Sequence, residues 1–152
     1  NSQNSENGLI YPECEPRSVT EPGRLNMRAE ARDYGTIPPC KGTLTFYINP
    51  NSEVRSIEIE LNFFNQDDEL ISVERSTFEL SPNSTNMYVN RYSHEPIKGA
   101  ICWELMMAVR KMNCFSAEGA SIDCPDVRII PSNAFHAITI EDETLNVCSE
   151  RS

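Results

Sequence analysis

Residues 99–130 read GAICWELMMAVRKMNCFSAEGASIDCPDVRII and hold the only tryptophan, Trp103, with Cys102, Cys114 and Cys124. Two periodicities compete within this stretch. As a strand, Ile101, Trp103, Leu105, Met107 and Val109 line one face; as a helix, Cys102, Leu105, Met106, Val109 and Met112 form an equally good apolar stripe. Helix propensity favours the second, because Glu, Leu, Met, Ala, Arg and Lys all sit well in a helix. The residues that follow favour the first. A turn centred on Glu118-Gly119 sets Cys114 opposite Cys124 and Val109 opposite Ile129, a register that brings the two thiols within bridging distance. We therefore read residues 101–112 as a strand that continues into a hairpin, with Trp103 as a core anchor between sheets.

Outward from that hairpin, the clearest alternation is Ile57-Glu-Ile-Glu-Leu-Asn-Phe63. Ile57, Ile59, Leu61 and Phe63 share one face and Glu58, Glu60 and Asn62 the other, as in a strand with one side in the core and one in water. Asn65-Gln-Asp-Asp68 is a turn cluster and Leu70 to Arg75 resumes extended structure, which predicts a hairpin with an acidic tip. Leu25, Met27, Ala29 and Ala31 alternate with polar residues, and Thr43 to Ile48 puts Leu44, Phe46 and Ile48 on one face. Thr77 to Leu80, Met87 to Tyr92, Val127 to Ile130, Ala137 to Ile140 and Thr144 to Val147 complete the set. Turn signals such as Thr36-Ile-Pro-Pro-Cys40 and Pro131-Ser-Asn133 bound them. About eight or nine short strands without a long helix predict an all-β sandwich. Residues 1–24, with Pro12, Pro16 and Pro22 among polar neighbours, predict a flexible arm pinned by Cys14, which leaves residues 25–152 as a single domain.

A formal net charge of −10 opposes binding to nucleic acid or anionic lipid, since both need clustered lysine and arginine. No apolar run reaches the roughly 18 residues of a membrane span. The polar start, Asn1 to Gly8, predicts a mature terminus left by removal of a signal peptide. Six cysteines, an even number without zinc-knuckle spacing, place the chain in an oxidising compartment, secreted or periplasmic. The preferred pairing is Cys114–Cys124 across the hairpin, Cys14–Cys40 tying the arm and Cys102–Cys148 fastening the end, each contributing about 2–4 kcal/mol. Asn83-Ser84-Thr85 matches a glycosylation sequon.

No nucleophile elbow, zinc-protease helix or phosphate-cradling glycine loop is present. The expectation is a protein that is not an enzyme and uses no cofactor or metal. His94 and His136 are the only histidines on which a secreted hydrolase could be built, and neither has a motif residue at a meaningful spacing. Two acidic loops, Asp67-Asp68-Glu69 and Glu141-Asp142-Glu143, are candidate contacts for a basic partner in an inhibitor-like or adhesin-like module. Asp67 to Glu69 lacks the glycine bend and ligand spacing of a calcium loop, so it reads as a solvated turn.

The alternating strand Ile57 to Phe63, the acidic turn Asp67 to Glu69 and the late Cys102-Trp103, Cys114, Cys124 hairpin together resemble small secreted bacterial proteins of the interleukin-receptor-mimic kind. The resemblance covers residues 40 to 130 as a pattern. It implies a fibronectin-III-like or Ig-like sandwich and, as a virulence factor, binding of a host cytokine. The sequence departs from the immunoglobulin pattern in that Trp103 directly follows Cys102 instead of lying between paired cysteines. The leading expectation is a secreted protein-binding module that works through strand faces, loop tips or edge addition. A homodimer by edge pairing or strand exchange is a further expectation, because an unpaired strand edge is a template for another chain.

Overall fold

The computed structural model describes residues 11–16, 23–31, 37–130 and 134–150. The Pro131-Ser-Asn133 turn, the Asn1 to Gly8 terminus and much of the expected arm lie outside them. Eleven strands are described, in chain order β1 (Leu25–Ala31), β2 (Gly42–Ile48), β3 (Ser56–Phe64), β4 (Leu70–Glu79), β5 (Ser81–Pro82), β6 (Tyr88–Ser93), β7 (Met106–Phe115), β8 (Ser121–Ile122), β9 (Val127–Ile130), β10 (Ala137–Ile140) and β11 (Val147–Ser149). They form an all-β sandwich of two sheets, ordered β11-β9-β1-β2-β6-β5 and β10-β7-β3-β4, with β8 also pairing β7. The pairings β1 with β9, β9 with β11 and β7 with β10 are parallel.

The predicted alternation survives in the core. Leu25, Met27 and Ala29 of β1, Leu44, Phe46 and Ile48 of β2, and Ile57, Ile59, Leu61 and Phe63 of β3 are all buried between the sheets. Full burial of such a side chain contributes about 1.5–3 kcal/mol, so these three strands alone supply much of the driving force for closing the sandwich. Thr77 to Leu80 proves to be the end of β4 and its exit, not a separate strand. The last strand is Val147–Ser149 instead of Thr144 to Val147, because Asp142 Oδ1 takes the Thr144 N–H and hydroxyl and holds residues 142–144 in a turn.

The disputed central stretch is a strand from Met106 onward, preceded by a 3₁₀ turn at Cys102–Glu104. Its two competing periodicities have one cause. Leu61 faces Val109 and Glu60 faces Lys111, so Arg110 is an extra residue that shifts the phase. Met107 and Val109 point inward before it and Met112 and Cys114 after it. The spacing from Val109 to Met112 that suggests a helix is thus a β-bulge.

Three expectations about this stretch are corrected. Trp103 is 47% exposed and not a core anchor, because buried Cys102 takes the inward position and turns the next side chain out. Val109 does not face Ile129: after Pro125 the chain crosses to the other sheet, where β9 lies beside β1. Cys114 faces Ile122 and bridges Cys124 beyond the end of the ladder. Of the expected disulfides Cys114–Cys124 is present, whereas the others are Cys14–Cys148 and Cys40–Cys102. Cys14 lies beside β11, with its N–H donating to Ser149 O, so Cys148 is its reachable partner. Cys40 lies two residues before β2 of one sheet and Cys102 precedes β7 in the other, so their bond staples the two layers together.

Candidate functional site

His94 is 2% exposed and follows β6 into the end of the sandwich. Its ring packs against Phe63 at 4.8 Å and Phe135 at 6.1 Å. Glu95 O is an acceptor, so Nδ1 carries the proton and donates to it at 2.8 Å, while Nε2 accepts the Gly42 N–H at 2.8 Å. Both ring nitrogens are therefore committed to main chain. Burial lowers the His94 pKa, against the opposing pull of the Glu95 carbonyl and charge, so the ring is neutral. Cys40 and Cys102 lie beside this ring, and the three could face a metal ion, but the two sulfurs are bonded to each other. His136 is exposed, and its ring meets Trp103 edge-on at 6.2 Å.

The two acidic loops have different roles. Asp142 closes a gap along β7: β10 pairs Met106 to Val109, β8 pairs Cys114 and Phe115, and Asp142 Oδ2 accepts the Met112 N–H between them at 3.1 Å. Burial pushes its carboxyl up, but the Thr144 hydroxyl, the Met112 and Thr144 N–H groups and Lys111 outweigh that and hold its pKa below the ordinary value. Glu141 pairs with Arg110 at 3.3 Å, and Glu143 is exposed. Asp67, Asp68 and Glu69 form the exposed tip of the β3–β4 hairpin, where Asn65 Oδ1 accepts the N–H groups of Asp67 and Glu69. Asp68 takes a positive φ of 61° there.

That tip leads into β4, and β4 is where sheet edge and surface chemistry combine. Three of the four sheet edges are managed. β11 is covered by the arm, with Ser149 N–H donating to Pro12 O at 2.7 Å. β5 is two residues long and contains Pro82. On β10, the Tyr11 hydroxyl accepts the Ile140 N–H at 2.6 Å and donates to Ile140 O at 3.1 Å. Among the described residues β4 pairs only β3, from Leu70 to Glu79 with a register shift that leaves Ile71 without a partner.

The Leu80 N–H donates to Arg55 O, which fixes the hydrogen-bonding phase of the β3–β4 pair. Ser72, Glu74, Ser76 and Phe78 direct their main-chain groups at β3, and Val73, Arg75, Thr77 and Glu79 direct theirs away. Asn90 Nδ2 takes the Glu79 carbonyl at 2.8 Å. Among the described residues, nothing takes the outward groups of Val73, Arg75 and Thr77.

The side-chain phase of β4 is inverted relative to its apolarity. Phe78 stacks on Tyr92 at 5.5 Å and tilts onto Phe46 at 5.3 Å, and Leu80 is buried. With those two inward, Ser72, Glu74 and Ser76 also turn in, while Leu70, Ile71 and Val73 are 54%, 42% and 51% exposed. Glu74 reaches the Glu95 N–H at 2.9 Å, and burial raises its pKa. Cross-strand neighbours on the outer face are Leu70 beside Phe64, Met106 and Ala137, an apolar row, then Val73 beside Asn62, Ala108 and Thr139, a mixed row in which Ala108 is buried. The Asn62 Oδ1 atom in the second row is buried without a hydrogen-bond partner. The third row turns charged, with Arg75 on Glu60 at 3.1 Å and Lys111 beyond.

The acidic tip is readable from its turn residues, whereas the exposure of Leu70, Ile71 and Val73 depends on a phase set further along β4. The available signal was the parity of Phe78 and Leu80, which forces Ile71 and Val73 outward. Comparisons with protein-family models, with curated proteins and with solved structures gave no match.

Proposed function

We propose that this protein is a secreted or periplasmic binding module that captures a protein partner by strand addition at β4, using the exposed side chains of Leu70, Ile71 and Val73 as a contact face. The inverted phase of β4 carries the reading. Folding buries no apolar surface by leaving Ile71 and Val73 in water with Ser72 and Ser76 turned inward, and local choices that conflict with the fold concentrate at functional surfaces. A long edge with unpaired main-chain groups supplies generic affinity, and side chains along it supply selectivity. Three disulfides fit an oxidising compartment. On the resemblance to interleukin-receptor mimics, a host cytokine is one such partner.

The test is capture from host and bacterial extracts by the oxidised protein and by its Val73→Pro variant. Proline at that position removes an outward N–H that β3 does not use. A partner held by the native chain and lost from the variant supports the reading. A partner held equally by both, or turnover in an ester or peptide screen without any partner, overturns it.

A further inference from the structure

We infer that the occupant of the β4 edge is an extended segment of another protein that carries lysine or arginine next to apolar residues, and not a second copy of this chain. This rests on β4 being a binding edge, and it concerns the chemistry of what binds there.

Charge is the first ground. Between residues 67 and 79 stand Asp67, Asp68, Glu69, Glu74 and Glu79 against Arg75 alone, and Arg75 is already engaged by Glu60. A strand added beside Val73 and running toward the hairpin tip has its end beside Asp67 and Asp68, where a cation is favoured and an anion repelled. Its side chains on the outer face lie beside exposed Ile71 and Val73. Those on the opposite face meet Ser72 and Glu74, which suit polar or basic residues.

Self-pairing is the natural rival, and sequence arithmetic counts against it. An antiparallel two-fold pair of β4 strands that covers Ile71 and Val73 over more than five residues is centred on Val73, Glu74 or Arg75; centring on Ser72 sets Arg75 beside Glu69 but pairs only residues 70–74. Centring on Glu74 or Arg75 sets each beside its own copy, and centring on Val73 sets Asp67 beside Glu79 of the other chain. Each of these three longer registers opposes like charges, which is destabilising across a strand pair. The net charge of −10 on each copy adds long-range repulsion.

The experiment is selection of a random peptide display library on the oxidised protein, with counter-selection on the Val73→Pro variant. The strongest peptide is then synthesised and titrated against the native chain and the Asp67→Asn/Asp68→Asn double variant at low and at physiological salt. Asparagine tolerates the left-handed backbone at position 68, so the turn is preserved. The expected result is enrichment of lysine and arginine beside β-branched residues, about tenfold weaker binding to the double variant, equivalent to about 1.4 kcal/mol, and loss of affinity with salt. Amide exchange at Val73, Arg75 and Thr77 slows in the complex.

Selected peptides without a basic bias, indifferent to the double variant, overturn the inference about the partner while leaving the edge reading intact. Failure to enrich any peptide over the proline control overturns the edge reading itself. A dimer in light scattering that becomes monomeric on Val73→Pro, with those three amides protected in the absence of peptide, identifies a second copy as the occupant and overturns the inference.

Discussion

His94 rests on the bare Cα of Gly42: its Nε2 accepts the Gly42 N–H at 2.8 Å, and a Cβ there would fall 2.9 Å from Phe135 Cζ and 3.2 Å from that same nitrogen. Gly42→Ala is therefore expected to overpack the end of the sandwich and to cost about 1–3 kcal/mol. A urea midpoint unchanged from the native chain would mean that Phe135 swings aside freely.

The same ring makes stability depend on pH. The unfolded histidine gains its proton near its ordinary value of 6.5, while the buried one resists protonation. Above that value both states are neutral and the contribution is complete. As pH falls below it, only the unfolded chain takes up a proton, and stability declines until the lowered folded value is passed. Urea unfolding from about pH 8 to about pH 5 reads this slope. In His94→Gln, which retains an acceptor for Gly42, the histidine share of the slope should vanish.

Asp142 has the opposite group chemistry and the same direction of dependence. Its lowered carboxyl pKa stabilises the fold above the ordinary aspartate range, and the benefit is lost as pH drops through the folded value. Asp142→Asn is expected to cost about 1 kcal/mol. It should also hasten exchange of the Met112 amide, which loses its charged acceptor.

Along β4 the hydrogen-bonding phase predicts an alternation in exchange rate in the isolated protein. Amides of Glu74, Ser76 and Phe78, directed at β3, should exchange slowly, and those of Val73, Arg75 and Thr77 rapidly. Val73→Pro should lower stability only slightly. Ser76→Pro, which removes a ladder bond and leaves its β3 acceptor unpaired, should cost more, about 1–3 kcal/mol. Equal effects of the two prolines would contradict the open edge.

The disulfides should differ in weight. Loss of Cys40–Cys102, which closes a separation of 62 residues and joins the two sheets, is expected to cost about 4 kcal/mol. Loss of Cys114–Cys124, with a separation of 10 inside one hairpin, should cost less. Paired serine variants in guanidinium melts measure the difference, and non-reducing peptide maps should recover the Cys14–Cys148 linkage.

The core strands were legible because alternation is a local property: Ile57 to Phe63 reports its buried face without reference to any other segment. The hairpin at Asp67 to Glu69 was legible for the same reason. The disulfide map was not, since Cys14 finds Cys148 only after β9 and β11 have lined up parallel to β1 and to each other. Trp103 misled because bulk alone does not say which of two neighbours, Cys102 or Trp103, the chain turns inward. Arg110 hid the strand behind a helical spacing. At β4 the local pattern was present but its phase was set downstream, by Phe78 and Leu80.

The Cys14–Cys148 bond joins the two ends of the folded body, with a Cα–Cα distance of 4.9 Å. Tension between anything attached upstream of Cys14 and downstream of Cys148 would therefore, once the contacts of Tyr11, Pro12, Ser149 and Glu150 outside the bond have yielded, pass through one covalent link and spare the strands between. The sandwich is mechanically shunted, and β4 would keep its shape under a pull that would peel apart the same fold without that bond.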